Sequence, residues 1–203
     1  MESKWLAAVP PYMAVWAGLF LFHSAWGALV GFHVAILFAL FWLKPSLSFD
    51  ILWKPTGWRS VLTSILLCSL GGFGLYLLWD VLGIAADLSA KMLALGLDDR
   101  LRFGFVVYFS IINPFMEEYF WRGALGSRSK SFYIGDLVYA GFHALILWGK
   151  AHILAIVLAI SALTFIGWFW RQVYRRDGSL LAPVLGHMAA DFSILFVVFY
   201  MKM

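Results

Sequence analysis

The chain has 203 residues, of which 63% are hydrophobic and only 13% are charged, and its mean hydropathy is +0.86. Soluble domains carry about 45–50% apolar and about 25% charged residues, so the composition excludes a disordered chain and an ordinary soluble domain. The net charge is +4, but the basic residues are scattered through the polar segments, so we expect no nucleic-acid partner. The composition predicts an integral membrane protein surrounded by the lipid bilayer.

Hydrophobic stretches that are long enough to cross a bilayer recur along the whole chain. A span needs about 20 apolar residues, so the apolar stretch 5–43 is interpreted as two helices with a break near His23 and Ser24. The predicted spans are residues 6–22, 25–43, 61–79, 103–125, 132–148, 153–170 and 180–201. We therefore expect an all-α fold, a polytopic transmembrane helix bundle of about seven spans (six to eight) in a single membrane domain.

The loops between these spans differ in their content of basic residues. If the N-terminus lies inside, the inner loops hold nine basic residues and the outer loops five. The inner residues are Lys4, Lys44, Lys54, Arg59, Arg128, Lys130, Arg171, Arg175 and Arg176, and the outer residues are Lys91, Arg100, Arg102, Lys150 and Lys202. The positive-inside rule therefore predicts a multi-pass protein with a cytoplasmic N-terminus, in the plasma or inner membrane if the source is bacterial.

Ionisable residues fall inside three predicted spans, where they are costly and indicate function. The polar residues of interest are Glu117, Glu118 and Arg122 in the fourth span, Tyr139 and His143 in the fifth, and His187 and Asp191 in the seventh. Glu118 and Arg122 are four residues apart on one helix face, so we expect them to pair. Glu117 is turned about 100° away from that face and is left without this partner.

The predicted depths of these residues in the bilayer agree to within a helical turn. At about 1.5 Å per residue, Glu117 lies roughly 13 Å and His143 roughly 16 Å from the inner side. By the same rise, His187 and Asp191 lie roughly 10 Å and 16 Å from that side. Three helices should therefore bring their polar side chains to one level, which predicts a shared polar cavity.

Two kinds of chemistry suit two carboxylates, two histidines and an arginine in such a cavity. A carboxylate can act as general base on a water molecule while a second histidine and its acidic partner face the oxyanion that develops at a peptide carbonyl. Alternatively, Glu117, His143 and His187 form a set of ligands that resembles a catalytic zinc site with an open position for water. The residues alone leave both kinds of chemistry open.

Three short motifs, in order on three predicted spans, carry a family resemblance. The segment 114–123, with the sequence PFMEEYFWRG, resembles the Glu-Glu-x-x-x-Arg motif of the CAAX protease and bacteriocin-processing family, also called the Abi family. Tyr139-x-x-x-His143 is similar to the Phe-x-x-x-His motif of that family, and His187-x-x-x-Asp191 to its His-x-x-x-Asn/Asp motif. The match covers roughly residues 103–200 and is similar to the type II CAAX prenyl proteases.

The resemblance implies an intramembrane endopeptidase of the glutamic type, with no cofactor, that uses carboxylate-activated water to cleave a membrane-anchored protein or peptide; zinc is the alternative cofactor. In the family, the first glutamate activates water with the histidine of the second motif, and the last histidine and its partner stabilise the oxyanion. The residues carried over as catalytic are Glu117, His143, His187 and Asp191, with Glu118, Arg122 and Tyr139 in support. Residues 103–203 would form the catalytic transmembrane core, and residues 1–102 the N-terminal transmembrane helices and an interfacial connector.

Two positions depart from the family pattern, and two other functions would retain the same polar residues. Tyr139 stands where the family has phenylalanine, and Asp191 stands where the prenyl proteases have asparagine. Because an ionised aspartate cannot donate a hydrogen bond to an oxyanion, we expect Asp191 to accept one from His187 and so fix its tautomer. The alternative functions are a non-catalytic membrane-embedded immunity or scaffold protein and, with less support from the helix pattern, a proton-coupled transporter.

Overall fold

A computed structural model describes residues 3–203, and within that range the regular secondary structure is helical, apart from one isolated bridge between Ile84 and Ala151. The α-helices are α1 (Val9–Trp16), α2 (Ala25–Leu43), α3 (Trp58–Leu78), α4 (Leu88–Ala94), α5 (Asp99–Glu117), α6 (Ile134–Gly141), α7 (His143–Leu147), α8 (Ile153–Asp177) and α9 (Leu181–Phe196). Short 3₁₀ segments cover Ser3–Ala8 and Phe49–Leu52, and π-helical segments cover Ala17–Leu21, Glu118–Ala124 and Val197–Lys202.

The described chain is a helical membrane bundle, as the composition predicts. Four helices are long and apolar enough to cross a membrane, namely Ala25–Leu43, Trp58–Leu78, Ile153–Asp177 and Leu181–Lys202. The other predicted spans are also helical but are less regular. The span 6–22 is built from 3₁₀, α and π segments, and the span 132–148 is divided at Phe142 into α6 and α7.

The predicted break between the first two spans is confirmed at His23 and Ser24. His23 has a positive φ of 46°, which turns the chain at the end of the first span. Ser24 is extended, and its Oγ accepts a hydrogen bond from the backbone N–H of Gly27 at 2.9 Å, so it caps the first turn of α2. A left-handed residue followed by an N-cap therefore separates two helices that hydropathy alone would join.

The loops gather into two groups at opposite ends of the helices. Ser179 Oγ donates to the Lys54 carbonyl at 2.6 Å, and Lys4 Nζ donates to the Leu125 carbonyl at 3.2 Å, so loops that the sequence assigns to the inner side contact one another. Loops assigned to the outer side also meet, since the backbone N–H of Ala85 donates to the Lys150 carbonyl at 2.8 Å. The loops thus alternate between the two ends as predicted, and the cytoplasmic N-terminus stays a prediction.

Small residues allow α3 and α9 to pack closely. A Cβ atom added to Gly72 would lie 2.6 Å from the backbone carbonyl carbon of Ser193, and one added to Gly186 would lie 2.8 Å from the Cβ of Ser64. Neither position has room for a side chain, so the two helix backbones approach as in other small-residue contacts between membrane helices. This contact sets the position of α9, which carries His187 and Asp191.

A buried arginine fixes the loop that joins the first two motifs. Arg171 of α8 is 2% exposed, and its Nε and Nη2 atoms donate to the two carboxylate oxygens of Asp136 at 2.8 and 2.7 Å. The same guanidinium donates to the carbonyls of Ser129 and Ser131 at 2.5 and 2.8 Å. Because a planar guanidinium presents its donors in a rigid fork, these bonds hold the start of α6 against α8.

Candidate active site

The first motif lies where α5 changes from α-helical to π-helical geometry. The helix continues through Pro114, which lacks a backbone N–H, and the π segment begins at Glu118. It ends with a hydrogen bond from the Leu125 N–H to the Phe120 carbonyl at 2.9 Å, five residues back. Such π segments within helices are frequent at functional sites. The boundary between the α-helical and the π-helical segment lies between the two neighbouring glutamates, Glu117 and Glu118.

Glu117 is buried and is held by only one of its carboxylate oxygens. Its side chain is 1% exposed, and Oε1 accepts a hydrogen bond from Asn113 Nδ2 at 2.8 Å. Over residues 3–203, Oε2 has no hydrogen-bond partner, and Glu117 forms no ion pair. Asn113 and Glu117 are four residues apart, so they share a face of α5. One oxygen is therefore fixed, and the other is left to interact with a further group.

Glu118 has a different environment, because it contacts both a cation and a histidine. Its Oε1 lies 2.8 Å from Nδ1 of His187, and its Oε2 lies 3.3 Å from Nε of Arg122. The pair with Arg122 is the one that the spacing predicts, and both side chains are almost wholly buried. The contact with Arg122 is an ion pair without the alignment of a hydrogen bond, since Oε2 has no hydrogen-bond partner in the described chain. Glu118 therefore links the first motif to the last one.

His187 and Asp191 lie close together, but not in the arrangement that we expected. His187 Nε2 is 3.6 Å from Asp191 Oδ1, which is too long for a hydrogen bond, whereas Nδ1 is bonded to Glu118. Glu118 thus fixes the orientation of the imidazole, and Asp191 approaches its other nitrogen. Asp191 Oδ2 also lies 3.4 Å from Asn113 Nδ2, so the amide of Asn113 stands between Asp191 and Glu117.

His143 joins the cluster through the ring of Tyr139. The ring centroids of Tyr139 and His143 are 5.8 Å apart, and those of Tyr139 and His187 are 6.3 Å apart, both edge to face. The guanidinium of Arg122 lies 3.6 Å from the Tyr139 ring centroid, a close cation–π contact. Nδ1 of His143 contacts the Ala140 carbonyl at 3.2 Å. The structure therefore brings the three motifs together, with His143 linked by ring packing rather than by a described hydrogen bond to Glu117.

An apolar cavity of about 260 Å³ reaches Asn113 and Glu117. Nearly all of its lining is aliphatic or aromatic, and Lys150 is the other charged residue on it. The lining comes from most of the helices but not from α6 or α8, and it includes Val15, Leu19, Ala28, Phe32, Leu75, Trp79, Ile84, Leu88, Met92, Leu97, Phe105, Phe142, Ile146, Leu195 and Phe199. Apolar cavities with a few convergent polar groups are the usual form of a small-ligand or substrate site.

The zinc alternative involves Glu117, His143 and His187. In the described part of the chain, no three His, Cys, Asp or Glu side chains are grouped closely enough to hold a metal ion. Nδ1 of His187 contacts Glu118 and Nδ1 of His143 contacts a backbone carbonyl, which leaves Nε2 of each ring available, so these two contacts do not exclude a metal. We derive no catalytic step through a metal, and its involvement is a matter for experiment.

Two residues of the site, Asn113 and Trp170, do not belong to any of the three motifs and were not predicted from the sequence. Asn113 lies one residue before the first motif, yet it contacts both Glu117 and Asp191. Trp170 of α8 stacks on His187 with ring centroids 4.8 Å apart and planes at 24°. The four-residue spacing of Asn113 and Glu117 was a usable signal for the first residue. A lone tryptophan in an apolar helix gives no such signal for the second.

Comparison with known proteins finds a family model that matches the segment carrying the three motifs. Residues 99–193 match the family model described as Type II CAAX prenyl endopeptidase Rce1-like. This segment, just under half of the chain, is similar to that family. The Rce1-like segment runs from the start of α5 into α9, so it contains all seven motif residues discussed above. Searches of curated proteins and of solved structures gave no match.

The match to the Rce1-like family supports a coarse assignment. The model describes endopeptidases, so the match supports a protease that acts in a membrane environment on a membrane-associated protein. The four long apolar helices agree with a multi-pass membrane enzyme. The match does not specify the mechanism or the substrate, which depend on the geometry of the side chains.

Proposed function

We propose that the protein is an intramembrane endopeptidase of the glutamic type, in which Glu117 activates the attacking water. The observation that carries the proposal is the asymmetric environment of Glu117. Asn113 holds Oε1 at 2.8 Å, while Oε2 has no partner among residues 3–203 and the side chain lies on an apolar cavity. A carboxylate in this position can accept a proton from water without first breaking a salt bridge.

The proposed reaction is a two-step hydrolysis. Glu117 takes a proton from water while the water oxygen attacks the peptide carbonyl, which gives a tetrahedral oxyanion and a protonated Glu117. The C–N bond then breaks as Glu117 returns that proton to the departing amine. One water molecule and one peptide bond are consumed, and a carboxylic acid and an amine are released, so the carboxylate ends in its starting form.

His187 is suited to stabilise the oxyanion. The hydrogen bond to Glu118 holds Nδ1, and stacking on Trp170 holds the plane of the ring, so the direction of Nε2 is fixed. A protonated His187 can then donate from Nε2 to the developing negative charge, and fixed donors of this kind stabilise such transition states strongly. Asp191, 3.6 Å from Nε2, lies where it can orient this edge of the site.

His143 and Tyr139 complete the proposed site on its other side. The resemblance assigns His143 to the water, and its edge-to-face contact with Tyr139 places it in the same cluster as His187. Tyr139 is 1% exposed, and its hydroxyl has no hydrogen-bond partner in the described chain. We propose that His143 holds the water that Glu117 deprotonates and that Tyr139 spaces the two histidines.

The apolar cavity favours a substrate with a hydrophobic group beside the bond that is cut. Its volume of about 260 Å³ suits a few aliphatic side chains or part of a lipid chain. A membrane-anchored protein or peptide meets this requirement, because its anchor already brings apolar atoms to this depth. The polar residues Asn113 and Glu117 lie on the same cavity, so a substrate bound there would expose its backbone to the proposed base.

The test is cleavage by the purified chain, reconstituted in liposomes, of a peptide library derived from a membrane proteome. Peptides would be supplied with and without a covalent lipid anchor, and new termini would be mapped by mass spectrometry. The wild type should cut a defined set of peptides, and Glu117→Gln should reduce the rate by at least about 10²-fold because the amide cannot act as a base. Asp80→Asn, the same chemical change at an exposed position, should leave the rate unchanged.

Three results would decide against the proposal. If Glu117→Gln cuts as fast as Asp80→Asn, then Glu117 is not the base. If the wild type binds anchored peptides without cutting them, the chain is a binding protein that has kept the residues of the family. A parallel reaction with a chelator tests metal dependence, and we expect the rate to be unchanged; loss of activity that added zinc restores would overturn the glutamic mechanism.

A further inference from the structure

A chain of hydrogen bonds connects the candidate site to His33 of α2, which lies outside the segment that the family model covers. The hydroxyl of Tyr108 lies 3.1 Å from Nδ1 of His33, and Nε2 of His33 lies 3.1 Å from Oδ1 of Asn113. Nδ2 of Asn113 then donates to Glu117 at 2.8 Å and approaches Asp191 at 3.4 Å. Through Asn113, one imidazole is thus connected to two of the proposed catalytic carboxylates.

The chemistry of the groups fixes the direction of every bond in this chain. When Glu117 and Asp191 are ionised they only accept hydrogen bonds, so the NH₂ group of Asn113 then faces them. Its carbonyl oxygen therefore faces His33, and because that oxygen only accepts, Nε2 of His33 must carry a proton. In the neutral imidazole Nδ1 then accepts the hydrogen bond of the Tyr108 hydroxyl.

Burial stabilises this orientation of the Asn113 amide. Asn113 is 1% exposed and His33 is 5% exposed, so neither can exchange its partner for bulk water. If the Asn113 amide turned over, its carbonyl oxygen would face two carboxylates, and its NH₂ group would face a ring nitrogen that already carries a proton. The two ionised carboxylates disfavour that state, and a proton on Nε2 of His33 supplies the donor that matches the observed orientation, since a buried polar group without a partner is costly.

We propose that His33 is a positioning residue for the endopeptidase site, acting through the Asn113 amide on Glu117 and Asp191. This inference rests on the proposed function. His33 keeps the amide turned so that one oxygen of Glu117 is held and the other stays directed away from Asn113. It also holds the amide against Asp191, so that the two carboxylates keep their distance. The site is therefore incomplete without a residue of α2, outside residues 99–193.

The experiment compares His33→Leu with His33→Gln, because the glutamine amide can place an N–H donor near the position of Nε2. His33→Leu should lower kcat by about 10–100-fold with little change in KM, as expected for a misplaced catalytic group. His33→Gln should recover most of that loss. His33→Leu combined with Asn113→Leu should be no slower than Asn113→Leu alone, because both act through one amide. Equal loss in both His33 variants, or fully additive losses, would overturn the proposal.

A second measurement on the wild type does not depend on cleavage. The ¹⁵N chemical shifts of histidine-labelled protein report which ring nitrogen carries the proton, and His33→Gln identifies the signal by its disappearance. We expect a neutral His33 protonated on Nε2. A proton on Nδ1 would overturn the inference even if the enzyme cuts peptides, whereas a wild type that cuts nothing would overturn the proposed function.

Discussion

Oε1 of Glu118 lies 2.8 Å from Nδ1 of His187, and this contact joins the first motif of the chain to its last. The spacing of residues predicts an ion pair between Glu118 and Arg122, and that pair is present at 3.3 Å. The same carboxylate also orients the histidine that we propose as the donor to the oxyanion. Glu118 therefore contacts a proposed catalytic residue directly, in addition to forming a structural ion pair with Arg122.

The first prediction concerns this carboxylate. Glu118→Leu should lower kcat by about 10²-fold or more, because His187 loses the acceptor that fixes its orientation. Glu118→Gln should be faster than Glu118→Leu, since its amide oxygen can still accept from Nδ1. Initial rates on a peptide cut by the wild type provide the measurement. Equal rates for the two variants would contradict an orienting role for the oxygen atom.

The second prediction distinguishes the roles open to Asp191. Asp191→Ala should lose most turnover, because the amide of Asn113 and the Nε2 edge of His187 lose a neighbour at 3.4 and 3.6 Å. Asp191→Asn should keep part of the activity, since its side-chain oxygen can occupy the same position and its NH₂ group can donate to an oxyanion. The values of kcat for the two variants test this order, and full activity in both would refute the role.

The third prediction tests the close approach of α3 and α9. In Gly186→Ala the new methyl group would lie 2.8 Å from the Ser64 Cβ and 3.0 Å from the Trp170 Nε1, so α9 must move. We expect a loss of about 1–3 kcal/mol in stability together with lower activity, because His187 is the next residue. Thermal unfolding in detergent and initial rates are the measurements.

Gly74→Ala on α3 is the matched control for that variant. An added Cβ there meets no atom within 4 Å, so the substitution should leave activity unchanged and raise stability by up to about 1 kcal/mol. If Gly186→Ala behaves in the same way as Gly74→Ala, the helices are less closely packed than the glycine contacts indicate.

The fourth prediction concerns the arginine that holds the loop between the first two motifs. Arg171→Leu removes a buried guanidinium and leaves Asp136 without its cation, which should lower stability by about 3–5 kcal/mol. Arg175→Leu, one turn further along α8, removes an exposed side chain that donates only to Gln172 among described residues, and should change stability by less than about 1 kcal/mol. Similar unfolding temperatures for the two variants would show that the buried fork does not stabilise the loop.

Hydropathy and motif spacing predicted the main features of the fold and the grouping of the site. The apolar runs gave the helices, the break at His23 followed from the length of one run, and the spacing of Glu118 and Arg122 gave their pair. These features depend on residues that are close together in the sequence, so they can be predicted from one sequence alone. The division at residue 102 into a connector and a catalytic core, and the roles of the seven residues, stay predictions.

Contacts between distant helices could not be predicted in the same way. His187 was assigned to Asp191 because the two residues share a helix face, but its hydrogen bond is to Glu118, 69 residues earlier. His33 is a histidine within an apolar span and bonds to a neighbouring helix, as such residues commonly do, but nothing local in the sequence indicates Asn113 as its partner. Which faces of two helices meet depends on the packing of the whole bundle, and glycines such as Gly72 set that packing.

The apolar cavity draws half of its lining from residues that precede the Rce1-like segment, among them Phe32 of α2, Trp79 and Leu88. The proposed catalytic residues and about half of the cavity lining thus lie in different segments of the sequence. Mutations in the N-terminal helices can change the shape of the cavity without changing the proposed catalytic residues. Proteins that share these three motifs can therefore differ in substrate preference while keeping the same proposed catalytic residues. The determinants of that preference should be sought in the N-terminal helices.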